Sequence, residues 1–283
     1  MTERLADISS HIHAVRQVGA VVNAMRGLSG ARAQQGRALL AGIRAYAEVS
    51  ARGISEALRL DGETAPGGPT GALERMLIVF GAEQGFAGAF ADRVMDTAAP
   101  LMAGAYVVIV GTRSVALAHD RRVEPARVVA MPTRARSVVA LANDVVDALY
   151  DRLADAGASS VELIVPVWTP GSGVAIERRP LMPLNLESFP RPRTGEPPLT
   201  TLPTPRLLEQ LAEEYVFAGV CEAAMEAYVA ENQARMEAMA AAKRNIDAQL
   251  EALSQREHQL RQDDITAEVI ELAAAGLQKR RRR

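Results

Sequence analysis

The stretch whose composition suits a phosphate cradle is Gly81-Ala82-Glu83-Gln84-Gly85-Phe86-Ala87-Gly88. It follows a short apolar run and precedes a helical one, where a dinucleotide fingerprint would lie. Its glycines miss the G-x-G-x-x-G spacing, and the next apolar run closes in Val110-Gly111-Thr112 with no acid to hold a ribose. It reads as a tight strand-to-helix turn. The only lysines are Lys243 and Lys279, and neither follows a glycine loop, which excludes a P-loop hydrolase. Glu83, Asp92, Asp96, Asp144 and Asp147 are candidate acid and base groups, but no spacing brings two of them to a shared cleft. His11 and His13, two apart on a helix, face different sides, and with His119 and His258 they are too scattered for a zinc site. The single cysteine, Cys221, makes no internal disulfide, which fits an intracellular protein. The expectation is a non-catalytic chain with no cofactor, no metal and no small-molecule substrate.

Charge says more than these groups do. The chain balances 32 basic against 34 acidic side chains over 283 residues, so no overall sign steers it toward nucleic acid or lipid. The distribution is uneven. Arg16, Arg26, Arg32, Arg37 and Arg44 stand between Ile8 and Ala47 without an acid, whereas Arg206 to Gln278 carries 6 basic and 14 acidic residues. The two ends are complementary and suited to pairing. The run Lys279-Arg280-Arg281-Arg282-Arg283 is either a solvated end or a contact for nucleic acid or another acidic surface. No apolar run reaches the roughly 20 residues that cross a bilayer, and the N-terminal residues lack a signal-peptide apolar region.

The elements that would position such groups fall into three zones. From Pro205 to Leu277 there is no further proline and only Gly219 and Gly276 interrupt good helix formers. Thr204 and Pro205 give this helix a cap and a first-turn proline, and Gly276 marks its end. The residues between span about 105 Å as one helix, against a globule diameter of roughly 50 Å for this length. Every seventh residue reads Leu211, Ala218, Met225, Asn232, Met239, Ile246, Leu253 and Leu260, with Tyr215, Val229, Met236 and Leu250 as companions. Glu222, Lys243, Glu257 and Asp264 interrupt the companion row. The partner is the N-terminal segment from Glu3 to Arg59, where Leu5, Ile8, Ile12, Val15, Val22 and Met25, then Leu39, Ile43 and Tyr46, repeat in the same way. Gly19, Gly27, Gly30, Gly36 and Gly42 fit a helix only where another helix or subunit comes close or the helix bends.

Between the helices, apolar runs at Met76–Phe80, Tyr106–Val110, Arg127–Met131 and Val161–Val167 alternate with helical stretches at Ala89–Met102, Ser114–His119 and Ser137–Ala156. That alternation predicts a parallel sheet. Pro180 to Pro205, with 8 of the 15 prolines, reads as an extended connector. The fold expected is α/β, with two long terminal helices forming an antiparallel coiled coil around an inserted parallel-sheet domain. Its divisions are a helix over 1–60, an α/β domain over 61–179, a connector over 180–204 and a helix with a basic tail over 205–283.

Two motifs then carry a resemblance. Glu231-Asn232-Gln233-Ala234-Arg235-Met236-Glu237-Ala238-Met239 and Arg261-Gln262-Asp263-Asp264-Ile265-Thr266-Ala267-Glu268 resemble Glu-x-x-Ala-Arg-Met-x-Ala-Met and Arg-Gln-x-x-Ile-Thr-x-Glu of the gamma subunit of F-type ATP synthases. Ala24-Met25 is a weaker match, and Gly85-Phe86-Ala87-Gly88 stands where the family has Gly-Leu-Cys-Gly. The family's Lys-Ile-Thr-Lys is replaced by Ala20-Val21-Val22-Asn23, and its apolar ending by the arginine run, which resembles the alternative, often sodium-linked, ATPase branch. The resemblance implies a central rotor shaft inside a ring of alpha and beta subunits, standing on a membrane c-ring with an epsilon subunit. It implies peripheral attachment at the cytoplasmic face of the inner membrane, and no nucleic acid. It also implies that Arg261, Gln262 and Thr266 meet a beta-subunit loop and that Met25 faces the beta lever region. A free coiled-coil scaffold or nucleic-acid binder using the arginine tail, and a small-molecule enzyme built on the α/β insert, are the alternatives from other classes.

Overall fold

The computed structural model describes residues 5–60, 74–156, 159–190 and 198–281. Helix α1 (Leu5–Leu60) and helix α5 (Thr204–Arg281) are the long elements, and each contributes to both of two compact units, Ser29–Met236 and Met1–Leu28 with Glu237–Arg283.

The unit Ser29–Met236 holds the sheet. Its strands are β1 (Glu74–Phe80), β2 (Tyr106–Val110), β3 (Arg127–Val129), β4 (Ser159–Thr169) and β5 (Gly173–Met182), in the order β3-β2-β1-β4-β5. Helices α2 (Phe90–Met102), α3 (Thr112–Asp120) and α4 (Val138–Ala156) connect them. The first four strands are parallel, as the strand and helix alternation requires. Side chains of β1 alternate between two cores: Met76, Ile78 and Phe80 meet α4 and α5, while Leu77 and Val79 meet α2 and α3. Both faces are covered, so the strand is apolar throughout, and each such side chain contributes roughly 1.5–3 kcal/mol on burial.

Helix α5 crosses this unit buried almost all round between Val216 and Arg235. Its alanines at 218, 223, 224, 227 and 230 have no exposed surface, and small side chains let the sheet and α1 both approach. The pairing with α1 is antiparallel, since a Cβ on Gly30, Gly36 or Gly53 would meet Met236, Val229 or Leu211 in turn. Below, Ile54, Leu58 and Phe189 pack on Leu208, Leu211 and Tyr215, with the rings of Phe189 and Tyr215 edge to face at 5.2 Å.

In the unit Met1–Leu28 with Glu237–Arg283, Ile8, Ile12, Met239 and Ile246 are buried, and Gly19 lies against Ile246. Counting one residue against one from that contact sets Leu5 level with Leu260. Residues 261–270 beyond it are all exposed.

Four expectations change. The sheet gains a fifth strand, β5, antiparallel to β4, inside the stretch assigned partly to a connector. Its Glu177-Arg178-Arg179-Pro180 hides the pattern, and such charges and a proline are suited to an edge strand. Strand β3 stops at Val129 instead of Met131. Helix α5 does not end at Gly276: the glycine lowers propensity by about 1 kcal/mol, too little to stop a helix followed by good formers. Leu39 and Tyr46, read as members of the repeat on α1, are each 41% exposed. No helix among the described residues is long and apolar enough to cross a membrane. Part of the connector, residues 191–197, lies outside the described residues, as do the side chains of the Lys279–Arg283 run.

Candidate functional site

The turn after β1 is gripped by α5. Glu231 and Arg235 lie one helical turn apart and form an ion pair, their side chains only 4% and 5% exposed. The Glu83 and Gln84 N–H groups donate to the Glu231 carboxylate at 3.1 and 3.0 Å. Arg235 donates to the carbonyls of Gly85 and Gln84 at 3.1 and 3.2 Å, and to the Asn232 side chain at 3.3 Å. Asn232 in turn donates to the Tyr228 carbonyl at 2.8 Å. One carboxylate and one guanidinium thus satisfy both polarities of the turn's backbone, as burial of such groups demands.

Glu83 completes the fastening from the loop side. Its carboxylate accepts from the N–H of Thr112 at 3.0 Å and of Met131 at 2.9 Å, and from the Thr112 hydroxyl at 3.0 Å. Thr112 opens α3, so the negative charge sits at the positive end of that helix. Gly111 has φ of 108° and an added Cβ would lie 2.6 Å from the Ala82 carbonyl oxygen, so glycine alone fits there.

This is where an open α/β sheet would take a ligand, outside the carboxyl ends of β1 and β4, on which the strand order reverses. The N–H groups of Glu83, Gln84, Thr112 and Met131 are already engaged by the chain's own carboxylates. The turn therefore works as a fastening, and it presents Phe86, with φ of 63° and 70% exposed, outward.

A second charge cluster joins α1, α5 and β5. Arg44 reaches Glu222 at 2.7 Å and Glu226 at 2.6 Å, and Arg179 reaches Glu226 and Glu177, each at 2.6 Å. Arg44 is held above the ordinary guanidinium range, first by the hydrogen bond to Glu222, and burial opposes this less strongly. For Arg179, burial pulls down, but the bonds to Glu226 and Glu177 together raise it. The Tyr46 hydroxyl donates to Glu214, which with partial burial pushes it up to about 12. Burial likewise raises Tyr150 and Tyr228, and pushes the Cys221 thiol up to about 11, far from a reactive thiolate.

Of the residues singled out from sequence, Met25 is half-buried on α1. Arg261, Gln262 and Thr266 are exposed on α5, with Arg261 3.6 Å from Glu257 and the Thr266 hydroxyl donating to the Gln262 carbonyl at 2.8 Å. These three share less than two helical turns. Met25, level with Ala240 in the antiparallel register, is about 30 Å along the axis from Arg261. Asp92 and Asp96 both lie on Arg121, at 3.8 and 2.5 Å, on the surface. Asp144 and Asp147 are exposed, as are His11, His13 and His258, and His119 contacts Glu124 at 2.9 Å. Sequence reading missed the roles of Glu226, Arg44 and Arg179, and saw Glu231 and Arg235 only as a motif. The spacing of Glu222, Glu226 and Glu231 on the otherwise apolar stretch of α5 was the available signal.

Comparison with known proteins now has a fold and a site to explain. The ATP synthase family model matches residues 4–276. A search of curated proteins finds no match. Among solved structures, the rotor of the Euglena gracilis mitochondrial ATP synthase in rotational state 1 is similar at 13% identity and a TM-score of 0.61, covering 92% of this chain and 98% of that one. The central stalk and c-ring structure of the Tetrahymena thermophila mitochondrial ATP synthase is similar at 16% identity and a TM-score of 0.55, covering 78% and 99%. These likenesses establish the fold, a long helix at each end with a five-stranded mixed sheet between them. With the family model spanning nearly all of the sequence, the chain belongs to the gamma-subunit family of ATP synthases.

Proposed function

We propose that the chain is the central rotor shaft of a bacterial F-type ATP synthase or ATPase, coupling ion flow through a membrane sector to ATP synthesis or hydrolysis in an alpha and beta head. The observation that carries this reading is the pair of long antiparallel helices, with α5 fastened through Glu231, Arg235 and Glu226 to a sheet domain whose turn after β1 is held by the chain's own side chains. Such a chain transmits force and has its own carboxylates, not a substrate, against the N–H groups of the turn. Family membership and the rotor and central-stalk structures of similar fold support it. Its partners in this reading are alpha and beta subunits, a c-ring and an epsilon subunit, at the cytoplasmic face of the inner membrane. The chain supplies no catalytic group. An asymmetric rod turning within the head favours each state of the catalytic sites through differential contacts.

In this reading Arg261, Gln262 and Thr266, exposed beyond the level of Leu5, meet a beta-subunit loop, and Met25 faces the beta lever region. Replacing Arg261 and Gln262 together by Ala is expected to lower coupled ATP synthesis in membrane vesicles while the complex still assembles. Unchanged synthesis and assembly would remove both residues from the contact.

A further inference from the structure

Glu226 is 3% exposed, yet each of its two oxygens takes a guanidinium from a different element: Arg44 of α1 and Arg179 of β5, both at 2.6 Å. Glu222 and Glu177 extend the row at its two ends, so the charges alternate in sign from α5 through α1 and back through α5 to β5. A cleft open to solvent lies on each side of it. A cavity of about 360 Å³ bordered by Leu181, Leu184, Phe189 and Tyr215 reaches Arg179 and Glu222. Another of about 360 Å³, bordered by Leu40, Val167, Trp168 and Val229, reaches Arg44 and Glu226. The strand it holds pairs within the sheet on one side only. β5 is an edge strand, and β4 pairs with β1 only as far as Ile164 but with β5 out to Thr169. The hairpin therefore runs on past the inner strands, and near where that begins Arg179 ties β5 to α5 through Glu226, between Leu181 against Gly219 of α5 and Trp168 under Arg37 of α1. A shared carboxylate suits this place, because it ties α1 and β5 to one point of α5, and the buried Glu226 charge is stranded only when both arginines are lost.

We propose that Glu226 is a positioning residue that locks the β4–β5 hairpin to α1 and α5, so that the edge of the sheet follows the helices when load crosses the unit Ser29–Met236. The load rests on the rotor reading; the lock is a property of the chain by itself. The two are tested separately. Amide hydrogen exchange on the full-length protein would compare wild type with Glu226→Gln, Arg179→Gln and Arg44→Gln. Exchange in β5 is expected to rise by about tenfold or more in Glu226→Gln and Arg179→Gln. In Arg179→Gln the α1 segment around Arg44 keeps its wild-type exchange, and in Arg44→Gln the pattern reverses. In assembled complexes in vesicles, ions pumped per ATP hydrolysed should then fall about twofold or more for Glu226→Gln and Arg179→Gln. A merely structural role would lower pumping and hydrolysis together with the amount of complex and leave that ratio at the wild-type value. Unchanged β5 exchange, loosening spread equally over every element in all three variants, or a loosened β5 with a wild-type ratio would each overturn the proposal. If Glu226→Gln does not fold, Arg179→Gln decides, since it leaves Glu226 paired with Arg44. Failure of the wild-type chain to assemble with alpha and beta subunits would instead refute the rotor reading and leave the exchange result to decide the lock.

Discussion

Arg235→Ala cuts the fastening between α5 and the turn after β1 at its most buried point. The variant loses the ion pair to Glu231 and the bonds to the Gly85 and Gln84 carbonyls, and leaves the Glu231 carboxylate almost fully buried. Removing one partner of a buried pair costs about 3–5 kcal/mol, and the two N–H donors that Glu231 keeps place this case near 3 kcal/mol. For a unit of this size that corresponds to a fall in Tm of about 6–12 °C, read by circular dichroism on the purified chain. Glu231→Ala strands the Glu83 and Gln84 N–H groups, and the double variant should be less damaged than the sum of the singles by about 1–3 kcal/mol, because the groups act as one unit. Lys243→Ala, at the more exposed pair with Asp247, should move stability by less than about 0.5 kcal/mol. A shift below about 2 °C for Arg235→Ala, or strict additivity with Glu231→Ala, would refute the reasoning.

Two further predictions concern the helices and the tyrosines. Gly27→Ala and Gly42→Ala, where a Cβ meets open space, should each raise stability by about 0.5–1 kcal/mol, whereas Gly36→Ala, whose Cβ would lie 2.6 Å from Val229 Cγ2, should lower it; equal shifts at all three in denaturant unfolding would contradict the packing described. In the folded protein Tyr46, Tyr150 and Tyr228 should ionise above the ordinary tyrosine range in an ultraviolet absorbance titration. The raised value of Tyr46 means that its bond to Glu214 contributes fully below the unfolded pKa near 10 and is lost as pH rises through about 12. Tyr46→Phe should remove the step near 12, and ionisation of Tyr46, Tyr150 and Tyr228 within the ordinary tyrosine range would refute the contacts described.

The long helices were legible because their determinant is periodic. The seam residues Ala218, Met225, Met239 and Ile246 are all buried, and even the one polar member, Asn232, is inside, where it bonds Tyr228 and Arg235. The four parallel strands were legible for a similar reason, since burial on both faces leaves an unbroken apolar run. β5 was not, because an edge strand is selected for the charge and proline that blur its pattern. Charge gave half an answer. The acid-free stretch of α1 and the acidic α5 suggested pairing, and Arg44 meets it with ion pairs to Glu222 and Glu226, while Arg37 turns instead to the neutral Gln233 and to Trp168. The roles of Glu231 and Glu226 depend on backbone and side chains about 50 to 180 positions away, which no local pattern encodes.

The central claim, that this chain is a rotor shaft, is tested most directly by purifying the tagged protein from detergent-solubilised membranes and identifying what comes with it. A rotor shaft would be recovered with alpha and beta subunits in a three-to-three head together with epsilon and c subunits. Recovery alone, or with nucleic acid that leaves as salt is raised, would contradict it.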